Sequence, residues 1–127
     1  MAWTDIYHKR ITSAEEAVSH IRSGQRVFMT GNCSVPKIAV NALTQRALQN
    51  PPALQNVELC HVLTIGDAPY VDPALEGRLR VNTLFISDNV RAAVNEGRAD
   101  FTPCRLSEIP LLFSSGALPL DVALIQV

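Results

Sequence analysis

The stretch Arg26-Val27-Phe28-Met29-Thr30-Gly31-Asn32-Cys33-Ser34-Val35-Pro36-Lys37 constrains this chain more than any other. Val27, Phe28 and Met29 form a short continuous apolar run, the pattern of a strand covered on both faces. Gly31 permits a tight bend, and Pro36 suits the first turn of a helix, where its missing N–H removes no bond. A buried strand that turns sharply into a helix is the unit of α/β folds. Its turn is where such folds hold ligands.

The rest of the chain repeats the alternation. Thr12 with Glu15 and Ser13 with Glu16 make two overlapping capping boxes. They predict a helix with Ala14, Ala17, Val18 and Ile21 on its apolar face, stopped by Gly24. After strand 26–30, a helix opened by Pro36 carries Ile38, Val40, Leu43 and Ala47 and ends at Asn50-Pro51-Pro52. Residues 57–63 read as a strand, 64–77 as a long loop and 79–86 as a third strand. A helix capped by Asp88 or Ser87 runs to Gly97, and an extended piece covers 99–102. Ser107 is expected to cap a helix with Pro110 in its first turn, ended by Gly116. Residues 120–127 read as a final buried strand. The predicted fold class is therefore α/β, a mainly parallel open sheet with helices on both faces. A buried strand ordinarily feeds a further loop and helix, so the expectation is the front part of something larger.

Charge and composition narrow the function classes. At 127 residues and 47% hydrophobic the chain can build one domain with a core. The net charge of −1, with no basic block, argues against a nucleic-acid surface. No apolar run approaches the ~20 residues that span a bilayer, and Met1-Ala2-Trp3-Thr4-Asp5-Ile6 lacks the order of a secretion signal. Cys33, Cys60 and Cys104 are scattered and odd in number, which fits neither a disulfide framework nor, with His8, His20 and His61, a zinc site. Cytoplasmic residence is the default expectation. Each thiol is expected to be structural, Cys33 being the least settled because it sits in the turn.

The chemistry is thinner than the fold. The backbone N–H groups of Asn32, Cys33 and Ser34, near a helix N-terminus, offer donors to a carboxylate, a phosphate or an oxyanion. A plain turn with a Ser34 cap weighs about equally. The turn is neither a P-loop nor a dinucleotide fingerprint, since the required Gly-Lys-Ser/Thr and further glycines are absent. Glu15, Glu16, Glu76, Glu96 and Glu108 are candidates for acid–base or covalent work, each better explained as a cap or a helix-end residue. His61 on an apolar strand reads as a satisfied core or edge histidine. Asn89 and Arg91 either face a ligand crevice or form a solvated first turn, and Asp100 and Arg105 are expected to pair at the surface.

Three segments carry a family resemblance. They are Tyr7 through Ala17 with Ile21 through Val27, then Gly31 through Pro36 with its helix. The third is Asn89-Val90-Arg91 through Gly97-Arg98-Ala99-Asp100-Phe101-Thr102-Pro103, continuing to Leu106-Ser107-Glu108-Ile109-Pro110. In this order the chain resembles the N-terminal part of the acetyl-CoA hydrolase/transferase family, which includes the 4-hydroxybutyrate CoA-transferases. The resemblance implies a CoA-transferase-like domain, of which residues 1–127 form a truncated part, normally paired with a second similar domain. It implies acyl-CoA and small carboxylic acid substrates meeting between those domains, coenzyme A being a substrate and no cofactor being required. It implies a glutamate nucleophile that passes through acyl-anhydride and glutamyl-CoA intermediates and lies outside these residues. Gly31, Ser34 and Pro36 match the substrate-side turn, with Asn32 and Cys33 varying its chemistry. Asn89 and Arg91 match a second crevice segment. No catalytic residue carries over, so the chain alone is expected to be inactive. The rival expectations are a stand-alone binding or self-assembling module and, lowest, a sugar-phosphate-binding enzyme.

Overall fold

The computed structural model describes residues 2–127. Five strands, β1 (Arg26–Met29), β2 (Val57–His61), β3 (Leu79–Thr83), β4 (Asp100–Phe101) and β5 (Val122–Leu124), form one sheet in the order β4-β3-β2-β1-β5. Every pairing is parallel. The helices are α1 (Trp3–Arg10), α2 (Ala14–Ser19), α3 (Lys37–Ala47), α4 (Asp88–Asn95) and α5 (Ile109–Ser114).

The order of the strands sets what covers each face. From β1 to β4 the chain steps in one direction, and then β5 returns to the far side of β1. Crossovers between parallel strands keep one hand, so reversing the step moves the connecting helix to the opposite face. Side chains alternate across the pleat accordingly. Val57, Leu59, Val81, Val27 and Met29 meet α2 through Val18, α3 through Val40, Leu43 and Ala47, and α4 through Val90 and Ala93. Each of these large side chains contributes about 1.5–3 kcal/mol by leaving water. Cys60 points the other way, with Leu84, and meets Ile109, Leu112 and Phe113 of α5. The Phe28 and Phe113 rings meet edge to face at 5.5 Å.

The second face also carries a polar chain that starts at the amino ends of β1 and β2 and runs to the carboxyl ends of β3 and β4. Arg26 grips Glu58 with two bonds, Nε to Oε1 at 2.7 Å and Nη2 to Oε2 at 3.0 Å. The Asn82 amide donates to Glu58 Oε1 at 3.1 Å, and the Thr102 hydroxyl donates to Asn82 Oδ1 at 2.8 Å. The Asp121 carboxylate accepts from the Arg26 backbone N–H at 2.8 Å. A polar chain thus ties segments of all five strands together.

Several expectations are corrected. Residues 3–10 form a helix absent from the expected elements; its short stripe of Trp3, Ile6 and Tyr7 is exposed. Asp5 in its first turn and Lys9 and Arg10 in its last complement the helix dipole. Ser13 alone caps α2, accepting from the Glu16 N–H at 3.1 Å, and that helix ends at Ser19, short of Gly24. Within the expected loop 64–77, two 3₁₀ turns at Pro69–Val71 and Pro73–Leu75 bury Tyr70 and Leu75. Ser107 is no cap; it lies inside a 3₁₀ turn (Leu106–Glu108) where Glu108 accepts from the Arg105 N–H at 3.0 Å. The final strand covers only three residues and is half-buried, since it pairs with β1 alone at the sheet edge. Asp100 pairs with Arg80, not Arg105, because Arg80 sits on the neighbouring strand on the same face.

Candidate functional site

All six residues read from the sequence as substrate-binding lie at the carboxyl edge of the sheet. Gly31, Asn32, Ser34 and Pro36 follow β1, and Asn89 and Arg91 follow β3. The loop after β2 runs between the two groups, and two strand spacings separate them, about 10 Å. Open α/β sheets bind ligands outside this edge, where the strand order reverses. Here the reversal falls between β1 and β5.

Gly31 is dictated by contact. A Cβ there would stand 2.1 Å from the Leu63 carbonyl oxygen. The close approach lets the Asn32 N–H donate to that oxygen at 2.7 Å, and Asn32 takes a left-handed φ of 53°. The Ser34 N–H donates to the Gly31 carbonyl at 2.9 Å. Two of the three backbone donors expected to face a ligand are therefore spent inside the turn. The Cys33 N–H and the Ser34 hydroxyl have no partner among the described residues. Thr30 locks the turn to the last strand, donating to the Ser34 carbonyl at 2.5 Å and accepting from the Gln126 N–H at 3.0 Å. Pro36 is buried just ahead of the first turn of α3.

A cleft of about 460 Å³ opens between the segments after β2 and β3, lined by Thr64, Gly66, Phe85, Ser87, Asn89, Arg91 and their neighbours. Asn89 is committed within the protein. Its Nδ2 donates to Thr64 Oγ1 at 3.1 Å and to the Gly66 carbonyl at 2.9 Å, and its Oδ1 accepts from the Ser87 hydroxyl at 2.6 Å. Thr64 Oγ1 in turn meets the Tyr70 hydroxyl at 2.9 Å. Arg91 lies on the exposed rim and donates one N–H to Asp88 at 2.7 Å, leaving further donors outward.

His61 lies under this edge, fully buried with its ring 5.8 Å from Tyr70. Its Nδ1 is 3.3 Å from Thr83 Oγ1, and its Nε2 has no partner among the described residues. The reading of a satisfied core histidine is therefore half right. Burial pulls its pKa down to about 4, which keeps it neutral at pH 7. Burial likewise pushes the Cys60 thiol up to about 12, so Cys60 is an inert packed group, while Cys33 is exposed.

Sequence reasoning overlooked Glu58, Thr64 and Tyr70. The signal for Glu58 was a carboxylate inside an otherwise apolar strand. Thr64 and Tyr70 carried no local signal, since their bonds join residues 6 and 25 positions apart. None of the glutamates lines the cleft. Glu58 is held by Arg26, Glu96 by Arg98, and Glu108 caps its turn. Among the described residues, no group of three or more His, Cys, Asp or Glu is arranged to hold a metal ion. No helix of the described chain is long and apolar enough to cross a membrane.

An all-parallel sheet whose last strand returns to the far side of β1 defines an open α/β domain. The chain belongs to the acetyl-CoA hydrolase/transferase family, whose N-terminal domain it matches over residues 1–127. It is 39% identical to a 4-hydroxybutyrate coenzyme A transferase of Clostridium kluyveri, covering all of this chain and 29% of that protein. It is 36% identical to a succinyl-CoA:acetate/propanoyl-CoA:succinate CoA transferase of Fasciola hepatica, over 95% of this chain and 24% of that one. The chain thus spans less than a third of the length of these relatives. Its fold matches the crystal structure of RipA from Yersinia pestis with a TM-score of 0.81 at 20% identity, over 98% of this chain and 30% of that one. It matches a 4-hydroxybutyrate CoA-transferase from Porphyromonas gingivalis with a TM-score of 0.71 at 28% identity, over 98% and 26%.

Proposed function

We propose that this chain forms the carboxylic-acid side of an active site that moves coenzyme A between an acyl-CoA and a small carboxylic acid. The reacting glutamate and most of the coenzyme A contacts come from outside residues 1–127. In such a reaction a glutamate oxygen attacks the thioester carbon and the thiolate leaves, giving an acyl anhydride. The thiolate then attacks the glutamyl carbonyl of the anhydride and releases the first acid as its carboxylate, leaving glutamyl-CoA. The second acid's carboxylate attacks that thioester and expels the thiolate, which attacks the acyl carbonyl of the new anhydride to give the second acyl-CoA and free the glutamate. The developing oxyanions need fixed donors, and the turn after β1 and the rim after β3 supply polar groups of that kind.

One observation carries the reading. The carboxyl edge gathers the Cys33 N–H, the Ser34 hydroxyl and the Arg91 guanidinium, while no glutamate lines the cleft. The purified chain, mixed with acetyl-CoA and either acetate or 4-hydroxybutyrate, is expected to show no thioester exchange. Robust turnover by these 127 residues alone would overturn the assignment. A second reading, a self-assembling module of the same fold, is favoured by the open edge of β5, next to which Ile125 is 63% exposed.

A further inference from the structure

Helix α1 and the outer face of α3 are both unpartnered, and they match each other. Trp3, Ile6 and Tyr7 stand at i, i+3 and i+4, so they share one face of α1. Trp3 is 76% exposed, and Ile6, Tyr7 and the following Ile11 are exposed as well. No residue of α1 is buried. A contiguous exposed apolar patch with aromatic rings is the signature of an interaction surface.

A groove of about 520 Å³ runs between α2 and α3. Val18 and Ala42 line it, and Ile38 beside them is 78% exposed. Asn41, Gln45 and Gln49 follow at four-residue steps, exposed but uncharged. The guanidinium of Arg46 is turned inward, donating to the Val18 carbonyl at 2.6 Å and the Ile21 carbonyl at 2.7 Å. A helix face turned to water normally carries charges, whereas the core of an interface is depleted of them. The groove does hold Glu15, which makes no ion pair among the described residues. Arg10, at i+7 on the Trp3 face of α1, makes none either. The lengths also agree. The 8 residues of α1 rise about 12 Å, as does α3 from Ile38 to Arg46. Within one copy the two do not meet, since no α1 residue lines the groove. Ile11 and Ser13, in the short link to α2, are both extended, which carries α1 away instead of folding it back.

We propose that α1 is a docking arm that seats its Trp3–Ile6–Tyr7 face in the α2–α3 groove of a second copy of this chain, with Arg10 meeting Glu15. The second copy returns the same contact, so a two-fold axis closes the pair. A fully covered aromatic ring removes roughly 150–250 Å² from water. Two arms, each with two rings and two isoleucines, and an equal area of groove reach the ~1,200–2,000 Å² of a specific interface. The groove shares no residue with the cleft at the carboxyl edge, so this pairing is independent of the coenzyme A reading. It also uses neither side of β5.

Trp3 is the single tryptophan of the chain, so its emission reports the arm alone. The test follows Trp3 emission and light scattering while the purified chain is concentrated through the micromolar range. Emission is expected to move to the blue as the mass doubles from 13.9 kDa. Ile38→Glu should keep Trp3 at a water-exposed wavelength and weaken pairing at least tenfold, whereas Ile125→Lys beside β5 should change neither. Both side chains are exposed, so neither variant should lower the urea midpoint. A mixture then separates arm from groove. Trp3→Ala keeps its groove and Ile38→Glu keeps its arm, so combining them should restore the blue shift of the one tryptophan present. Emission that ignores concentration, pairing that survives Ile38→Glu, or a mixture without a blue shift would each overturn the docking.

Discussion

Gly31 and His61 show how far one residue governs this edge. Gly31→Ala drives a Cβ to 2.1 Å from a backbone oxygen, which no side-chain rotation relieves. The variant should lose about 3 kcal/mol or more, read as a lowered urea midpoint at pH 7.5. A loss below 1 kcal/mol would mean that the β1 and β2 loops separate at little cost. His61 acts through protons. Its folded pKa of about 4 lies below the unfolded 6.5, so the unfolded chain binds more protons between those values. Stability contributed by neutral His61 is therefore complete above pH 6.5 and lost as pH falls towards 4, on the order of 3 kcal/mol in total. Asp100, whose pKa is pulled down mainly by its bond to Arg80, loses its share only below the ordinary carboxylate range. Urea midpoints at pH 7.5 and 4.5 should converge in His61→Leu relative to the parent, and an unchanged slope would remove His61 as the cause.

Between elements, the sheet is held by two unlike faces. On one, α2, α3 and α4 bury a continuous apolar cluster. On the other, α5 packs on Cys60 and Leu84, and a polar chain through Arg26, Glu58, Asn82 and Thr102 crosses from β1 to the end of β4. Arg26 and Glu58 are 23% and 27% exposed, sheltered enough for their bonds to matter. Glu58→Ala should cost about 1–3 kcal/mol, since it strands the guanidinium and an Asn82 donor. A double-mutant cycle with Arg26→Ala should show coupling near 1 kcal/mol, whereas the exposed Arg91–Asp88 pair should show almost none. Equal coupling in both pairs would reduce the ladder to surface decoration.

At the scale of the molecule, the described fold is a sheet with edge strands β4 and β5 and one partly covered face. β5 uses only its β1 side, and Ile125 next to it is exposed. An unpaired edge with an apolar neighbour invites pairing with another strand. Size-exclusion chromatography with light scattering should therefore report a species larger than 13.9 kDa if the self-assembling reading holds. A monodisperse monomer would discard that reading and leave the acid-side wall as the sole proposal.

The alternation of strand and helix was legible because burial leaves a period in the sequence. Val27-Phe28-Met29, the α3 stripe and the Pro36 entrance each state their element locally. Helix α1 was not, because its apolar stripe of Trp3, Ile6 and Tyr7 is short and packs on nothing. The family segments picked out Asn89 and Arg91, which lie at the carboxyl edge of the sheet, yet they did not tell which of the two has donors to spare. Sequence alone determined the class of fold and the family, since these follow from local pattern and residue type. Tertiary structure alone decided that Gly31 answers to Leu63, that Asn89 is spent on Gly66 and that Glu58 belongs to Arg26. Those facts depend on hydrogen bonds between residues brought together only by strand order, and no local pattern records them.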